Sequence, residues 1–174
     1  MKNIKLLILD VDGVLTDGRI TYDSSGNELK SFNVKDGIAI KHLQEAGIDV
    51  AIITARESSI VTRRAKELNI KFLYQKESNK VIAYQKLIQL LNLTPNEVAY
   101  LGDDWPDLPV LLEVGLPAVV HDAEPLLKSH AKFITTKNGG DGAVRELAYA
   151  ILRAQNKFES IIEKYYNKTE LKIL

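Results

Sequence analysis

The chain of 174 residues contains no cysteine. Disulfides, thiolate metal sites and cysteine nucleophiles are therefore excluded, and a metal would have to use oxygen ligands or the three histidines. A charge excess is also missing, because 23 Lys and Arg balance 23 Asp and Glu. No global basic field argues for a nucleic-acid partner. No apolar run approaches the roughly 20 residues of a membrane span. The start, Met1-Lys2-Asn3-Ile4-Lys5, enters a strand-like run without the long apolar region of a signal peptide. The expectation is a cytoplasmic protein without a membrane or nucleic-acid partner. Internal repeats and low-complexity tracts are absent, and the length suits one domain spanning residues 1–174.

What is present is a regular alternation. Ile4 to Leu9 is nearly continuous apolar sequence, as in a strand buried on both faces of a parallel sheet. Residues 49–54, 71–74, 98–101, 117–120 and 132–135 read the same way. Helical patterns lie between them at 37–46, 58–68, 79–91 and 107–114. This implies an α/β fold, a Rossmann-like doubly wound parallel sheet. One segment interrupts it: Arg19 to Tyr22 and Glu28 to Asn33 flank Asp23-Ser24-Ser25-Gly26-Asn27, a β-hairpin signal at about 19–33, directly after the first strand. It reads either as a decorated surface loop or as a functional insert. Near the end, Val144, Leu147, Ala148, Ile151 and Leu152 form a helical stripe that Phe158, Ile161, Ile162 and Tyr165 continue. The tail at about 155–174 either folds back onto the core or packs on another subunit.

The chemistry concentrates at strand ends. Asp10 and Asp12, at i and i+2 of an extended chain, point the same way. They emerge at the sheet's carboxyl edge, where open α/β folds bind ligands. Two anions this close require a cation or a shared proton, and Mg²⁺ takes oxygen ligands. A carboxylate can also attack phosphorus while its neighbour moves protons. Turn or N-cap aspartates are the bland alternative. A second acidic cluster, Gly102-Asp103-Asp104-Trp105-Pro106-Asp107, follows the strand at 98–101. Thr54-Ala55-Arg56 ends another strand and opens a helix, offering phosphate a hydroxyl and backbone N–H groups. Lys80 opens the helix after Glu77-Ser78-Asn79.

In this order the DxDGV run, the strand-ending Thr, the helix-opening Lys and the GDDxxD run resemble the haloacid dehalogenase superfamily of phosphatases. The resemblance implies that Asp10 is the nucleophile and Asp12 the general acid/base. It implies Mg²⁺ held by Asp10, the Asp12 carbonyl and Asp103, with Asp104 and Asp107 orienting the metal's surroundings, and Thr54 and Lys80 on the phosphoryl oxygens.

Longer runs, DVDGVLTDG from Asp10, FNVKDG from Phe32, QKESNK from Gln75, AYLGDD from Ala99 and GGDGAVRE from Gly139, are similar to the group that hydrolyses 3-deoxy-D-manno-octulosonate 8-phosphate (KDO 8-phosphate) in lipopolysaccharide synthesis. That likeness implies a capless homotetramer with the hairpin at its centre. It implies a substrate set of Asp12, Asn33, Val34, Lys35, Asp36, Gly37, Lys41, Arg56, Arg64 and Lys80. A nonulosonate 9-phosphate is the neighbouring alternative. Lys35 and Lys41 stand where the group often has Arg, Ala55 where it often has Gly, and Asp141 where it often has Arg.

Overall fold

The computed structural model describes residues 1–165. Its main sheet has six parallel strands. In chain order they are β1 (Leu6–Leu9), β4 (Asp49–Ile53), β5 (Phe72–Tyr74), β6 (Val98–Gly102), β7 (Leu116–Val119) and β8 (Phe133–Ile134). Two short antiparallel strands, β2 (Thr21–Tyr22) and β3 (Glu28–Leu29), form the separate hairpin. The helices are α1 (Val34–Glu45), α2 (Ser59–Glu67), α3 (Lys80–Leu90), α4 (Leu108–Leu111), α5 (Pro125–His130), α6 (Ala143–Ala154) and α7 (Phe158–Ile162).

The sheet order is β5-β4-β1-β6-β7-β8. The chain therefore winds one way from β1 and returns to wind the other way from β6. Adjacent strands whose connections diverge leave a crevice at their carboxyl ends. Here those strands are β1 and β6, paired from Leu6 with Val98 to Leu9 with Leu101. Leu6, Leu7, Ile8 and Leu9 are all fully buried, which fits a central strand covered on both faces. Two helix pairs, α1 with α6 and α3 with α4, contribute to that cover.

The alternation read from the sequence is present, with three differences. The helix expected from residue 37 begins at Val34, where the Asn33 side chain accepts a bond from the Lys35 N–H. An N-cap of this kind sets the start before the apolar stripe does. The short helix α5, between β7 and β8, lacks an apolar period long enough to be noticed. The C-terminal stripe is not one continuous helix: α6 ends at Ala154, and Asn156 takes a φ of 56°. The chain then folds back, with Phe158 edge-on to Tyr149 and Tyr165 Oη 2.9 Å from His42 Nε2. Folding back onto the core holds for residues 158–165, and the rest of the predicted tail lies outside the described residues. No helix among the described residues is long and apolar enough to cross a membrane.

Candidate active site

Because β1 and β6 are neighbours, their terminal carboxylates meet. Asp10, Asp12, Thr54, Ala55, Arg56, Lys80, Asp103, Asp104, Pro106 and Asp107 line one cleft of about 170 Å³. Sequence positions as distant as 10 and 107 thus converge on one sheet edge. Larger surface grooves exist, one of them among Lys2, Lys5, Gly47, Thr94 and Gln155, away from this cluster.

Lys80 is the hinge of the arrangement. Its side chain is 3% exposed, with Nζ 2.9 Å from Asp10 Oδ1 and 2.6 Å from Asp107 Oδ1. Burial opposes its charge, yet Asp10 and Asp107 outweigh that effect and hold its pKa above the ordinary lysine value. Asp107 is saturated with donors. Tyr100 Oη reaches its Oδ1 at 2.5 Å, and the Asp103 N–H reaches its Oδ2 at 2.9 Å. Its neighbour Asp104 caps the turn at 105–107 by accepting from the Trp105 N–H.

Asp103 is the carboxylate left in want of a partner. Its Oδ1 is buried with no hydrogen-bond partner among the described residues. One oxygen from each of Asp10, Asp103 and Asp107 falls within 4.8 Å of the others. Burial first, then Asp107 and Asp10, push the Asp103 pKa up to about 8. Burial and Asp107 likewise raise Asp10 to about 6, against the opposing pull of Lys80. Crowded, desolvated carboxylates with an orphaned oxygen are the donor set that a hard divalent cation satisfies, so these residues fit Mg²⁺.

The backbone makes room for this crowding. Gly13 has a φ of +92°, and a Cβ there would overlap Asp103 Oδ2. The loop holding Gly13 is braced from behind by Gly139-Gly140, whose Gly140 N–H donates to the Val14 carbonyl at 2.9 Å. A Cβ on Gly139 would overlap the Gly13 carbonyl oxygen. This brace gives the Gly139 segment a structural purpose, and Asp141 beside it is exposed. Ala55 stays out of the left-handed region, so its side chain is tolerated there.

The remaining expected residues separate into two groups. Arg56 faces the cleft, with Nε 3.7 Å from Asp12 Oδ2. Asn33, Val34, Lys35, Asp36, Gly37, Lys41 and Arg64 are not among the residues that line the cleft. Val34, Lys35 and Lys41 are exposed on α1. Arg64 stacks over Phe32 and pairs with Glu67 at 3.3 Å. Gly37 lies under the Arg64 guanidinium. Asp36 is buried and committed to α6, accepting from the Arg145 N–H at 2.8 Å. Its burial raises its pKa to about 6. Asn33 donates to the Gly140 carbonyl and so joins α1 to the glycine brace.

Three participants escaped the sequence reading. Tyr100 looks like an ordinary strand residue. Lys30 and Glu28 belong to the hairpin, whose i, i+2 spacing was the available signal. Lys30 Nζ contacts Asp12 Oδ1, and its side chain is 1% exposed.

The chain is similar to known proteins over most of its length. Residues 69–147 match the family model described as haloacid dehalogenase-like hydrolase. The 3-deoxy-D-manno-octulosonate 8-phosphate phosphatase KdsC of Yersinia pestis is 50% identical over 157 residues, covering 90% of this chain and 84% of that protein. The crystal structure of the phosphatase of that name from Moraxella catarrhalis, in complex with magnesium ion, phosphate ion and KDO, superposes with a TM-score of 0.93. It is 44% identical, and the match covers 95% of each chain. The cobalt-bound form of the Haemophilus influenzae phosphatase gives a TM-score of 0.87 at 41% identity, covering 90% of this chain and 92% of that one.

Proposed function

Since the chain belongs to the 3-deoxy-D-manno-octulosonate 8-phosphate phosphatases of the haloacid dehalogenase superfamily, we propose that its cleft hydrolyses KDO 8-phosphate to KDO and inorganic phosphate, in making the lipopolysaccharide inner core. One observation carries the reading: Asp10 and Asp12 share a cleft with Asp103, Thr54 and Lys80 at the carboxyl edge of β1 and β6.

In this mechanism the Asp10 carboxylate attacks the phosphorus. Lys80, 2.9 Å from it, favours the ionised form that attack needs. Asp12 protonates the departing sugar oxygen, leaving an aspartyl-phosphate on Asp10. Asp12 then takes a proton from the water that attacks this intermediate, releasing phosphate and restoring Asp10. Thr54 and Lys80 donate to the phosphoryl oxygens as their charge develops. Asp10, the Asp12 carbonyl and Asp103 would hold Mg²⁺, which would supply neutralising charge beside the phosphoryl group. Asp107, bonded to Lys80, Tyr100 and the Asp103 N–H, keeps those groups aimed. Asp104 holds the turn that presents them.

Arg56 meets the substrate within the subunit from its place beside Asp12. Asn33, Val34, Lys35, Gly37, Lys41 and Arg64 reach it only as part of a rim between subunits, and Asp36 braces that rim through α6. We assign a homotetramer assembled through the hairpin, where Ile20, Tyr22 and Leu29 are each more than half exposed. Apolar side chains grouped in this way mark a protein contact. Residues 1–174 then form one domain acting in the cytoplasm. Comparing kcat/KM for KDO 8-phosphate and a nonulosonate 9-phosphate tests the substrate, and a preference for the second would replace it. Asp10→Asn tests the chemistry: a loss of at least about 10³-fold is expected for a nucleophile, and full magnesium-dependent activity would overturn the assignment.

A further inference from the structure

Strand β3 presents alternate side chains to opposite sides, as any strand does. Leu29 faces outward and is 52% exposed. On the other side Glu28, and Lys30 just past the strand, turn toward the cleft of their own subunit. Glu28 Oε1 accepts from Arg56 Nη2 at 2.7 Å and lies 3.5 Å from Lys30 Nζ. Its Oε2 accepts from the Ser58 hydroxyl at 2.8 Å. Lys30 and Arg56 then reach the two oxygens of Asp12 separately, Lys30 at Oδ1 and Arg56 at Oδ2.

Two features make this more than a surface ion pair. A lysine ammonium is seldom withdrawn from water unless it is paired, and Lys30 is withdrawn almost completely. Ser58 occupies the N-cap of α2, yet its side chain makes no capping bond. The hydroxyl that would ordinarily satisfy the helix start is turned to Glu28 instead.

We propose that Glu28 is a positioning residue: it holds Arg56 and Lys30 on the two oxygens of Asp12, so the inserted hairpin is a working part of the active site. The inference rests on the phosphatase reading, in which Asp12 handles the proton. Glu28 does not touch the reacting atoms; it acts through the two cations. Without its charge both cations lose their common anchor, and Asp12 loses its orientation toward the leaving oxygen.

The test compares Glu28→Gln and Glu28→Asp with the unmodified enzyme. The substrates are KDO 8-phosphate and glycerol 2-phosphate, a small alkyl ester without a carboxylate. Activity of the unmodified enzyme judges the phosphatase reading separately. Glu28→Gln is expected to lower kcat by about 10- to 100-fold on both esters while KM moves less than about 3-fold, the pattern of a lost transition-state interaction. Glu28→Asp, which keeps the charge, should recover part of the loss. In an Arg56→Met background the same Glu28→Gln change should cost less than about 3-fold, because residues acting through one another are not additive. Thermal melting of each variant separates these effects from unfolding. A defect confined to KM for the sugar-acid ester would make Glu28 a direct substrate contact and overturn the proposal. Unchanged kcat, fully additive losses, or a kcat loss that follows the melting temperature and is not restored by Asp would overturn it as well.

Discussion

The Lys80 ammonium lies 2.6 Å from Asp107 Oδ1 and so ties the first turn of α3 to the loop leaving β6. The same nitrogen lies 2.9 Å from Asp10 at the end of β1. One cation thus joins three elements of the fold, and its removal leaves two carboxylates facing each other in a desolvated site.

Lys80→Met is accordingly expected to lower both stability and activity. Breaking a buried pair by deleting one partner costs about 3–5 kcal/mol, measurable by urea unfolding in the presence of a chelator. Excess Mg²⁺ should restore part of that stability by offsetting the same negative charge. kcat should fall by about 10²-fold or more, the scale for a lost donor to developing charge. Unchanged unfolding without metal would show that the two carboxylates do not depend on Lys80.

Gly13→Ala places a Cβ against Asp103 Oδ2 at a φ of +92°. Strain of this kind costs of order 1–3 kcal/mol, and relief requires Asp103 to move. The affinity for Mg²⁺ should weaken by about 10-fold or more, the range seen when ligand orientation is lost. Calorimetric titration with Mg²⁺ measures this directly. Retention of the original affinity would mean that Asp103 does not ligate.

The raised carboxyls set a pH dependence. Asp10 and Asp36 are lifted to about 6 and Asp103 to about 8, each chiefly by burial. The unfolded chain releases these protons near its ordinary value of 3.8, while the folded protein keeps them. The folded state therefore binds more protons in this window, and its stability falls as pH rises from about 4 to about 8. Mg²⁺ competes with protons at Asp10 and Asp103, so its stabilising effect should grow between about pH 6 and 8. Asp36→Asn should flatten only the slope between about pH 4 and 6. Melting curves across pH, with chelator and with Mg²⁺, check both statements.

Assembly is tested on the outer face of the hairpin. Leu29→Glu puts a carboxylate where the proposed contact needs an apolar side chain, and like charges repeat at each symmetry-related position. Light scattering should find a tetramer for the unmodified chain and smaller species for Leu29→Glu. A monomer for the unmodified chain at micromolar concentration would contradict the assembly.

The site was partly legible because its chemistry is written in local runs. Asp10 and Asp12 stand beside a turn glycine at the end of an apolar run, and Asp103 to Asp107 follow another such run. Each announces a strand's carboxyl end without reference to the rest of the chain. Lys30 was not legible in this way. Its i, i+2 spacing from Glu28 marks a shared face, but nothing local says that this face turns inward onto Asp12. Gly139 posed the same difficulty, since its requirement comes from the Gly13 carbonyl, far away in sequence. The expected substrate set on α1 was legible only as a resemblance, because no local pattern says what its side chains face. Asn33 caps the helix there, and Asp36 accepts from the Arg145 N–H.

By itself, the sequence determined the α/β alternation, the acidic strand ends and the chemistry available to a chain without cysteine. Period and turn residues act over a few positions and need no partner to be read. Only the tertiary structure decided which strand ends meet, because the order β5-β4-β1-β6-β7-β8 is a property of long-range pairing. It alone placed Lys80 between Asp10 and Asp107, left Asp103 with an unpartnered oxygen, and folded Glu28 and Lys30 of the hairpin onto Arg56 and Asp12. Coulombic attraction and desolvation depend on distance in space, and the sequence records only distance along the chain.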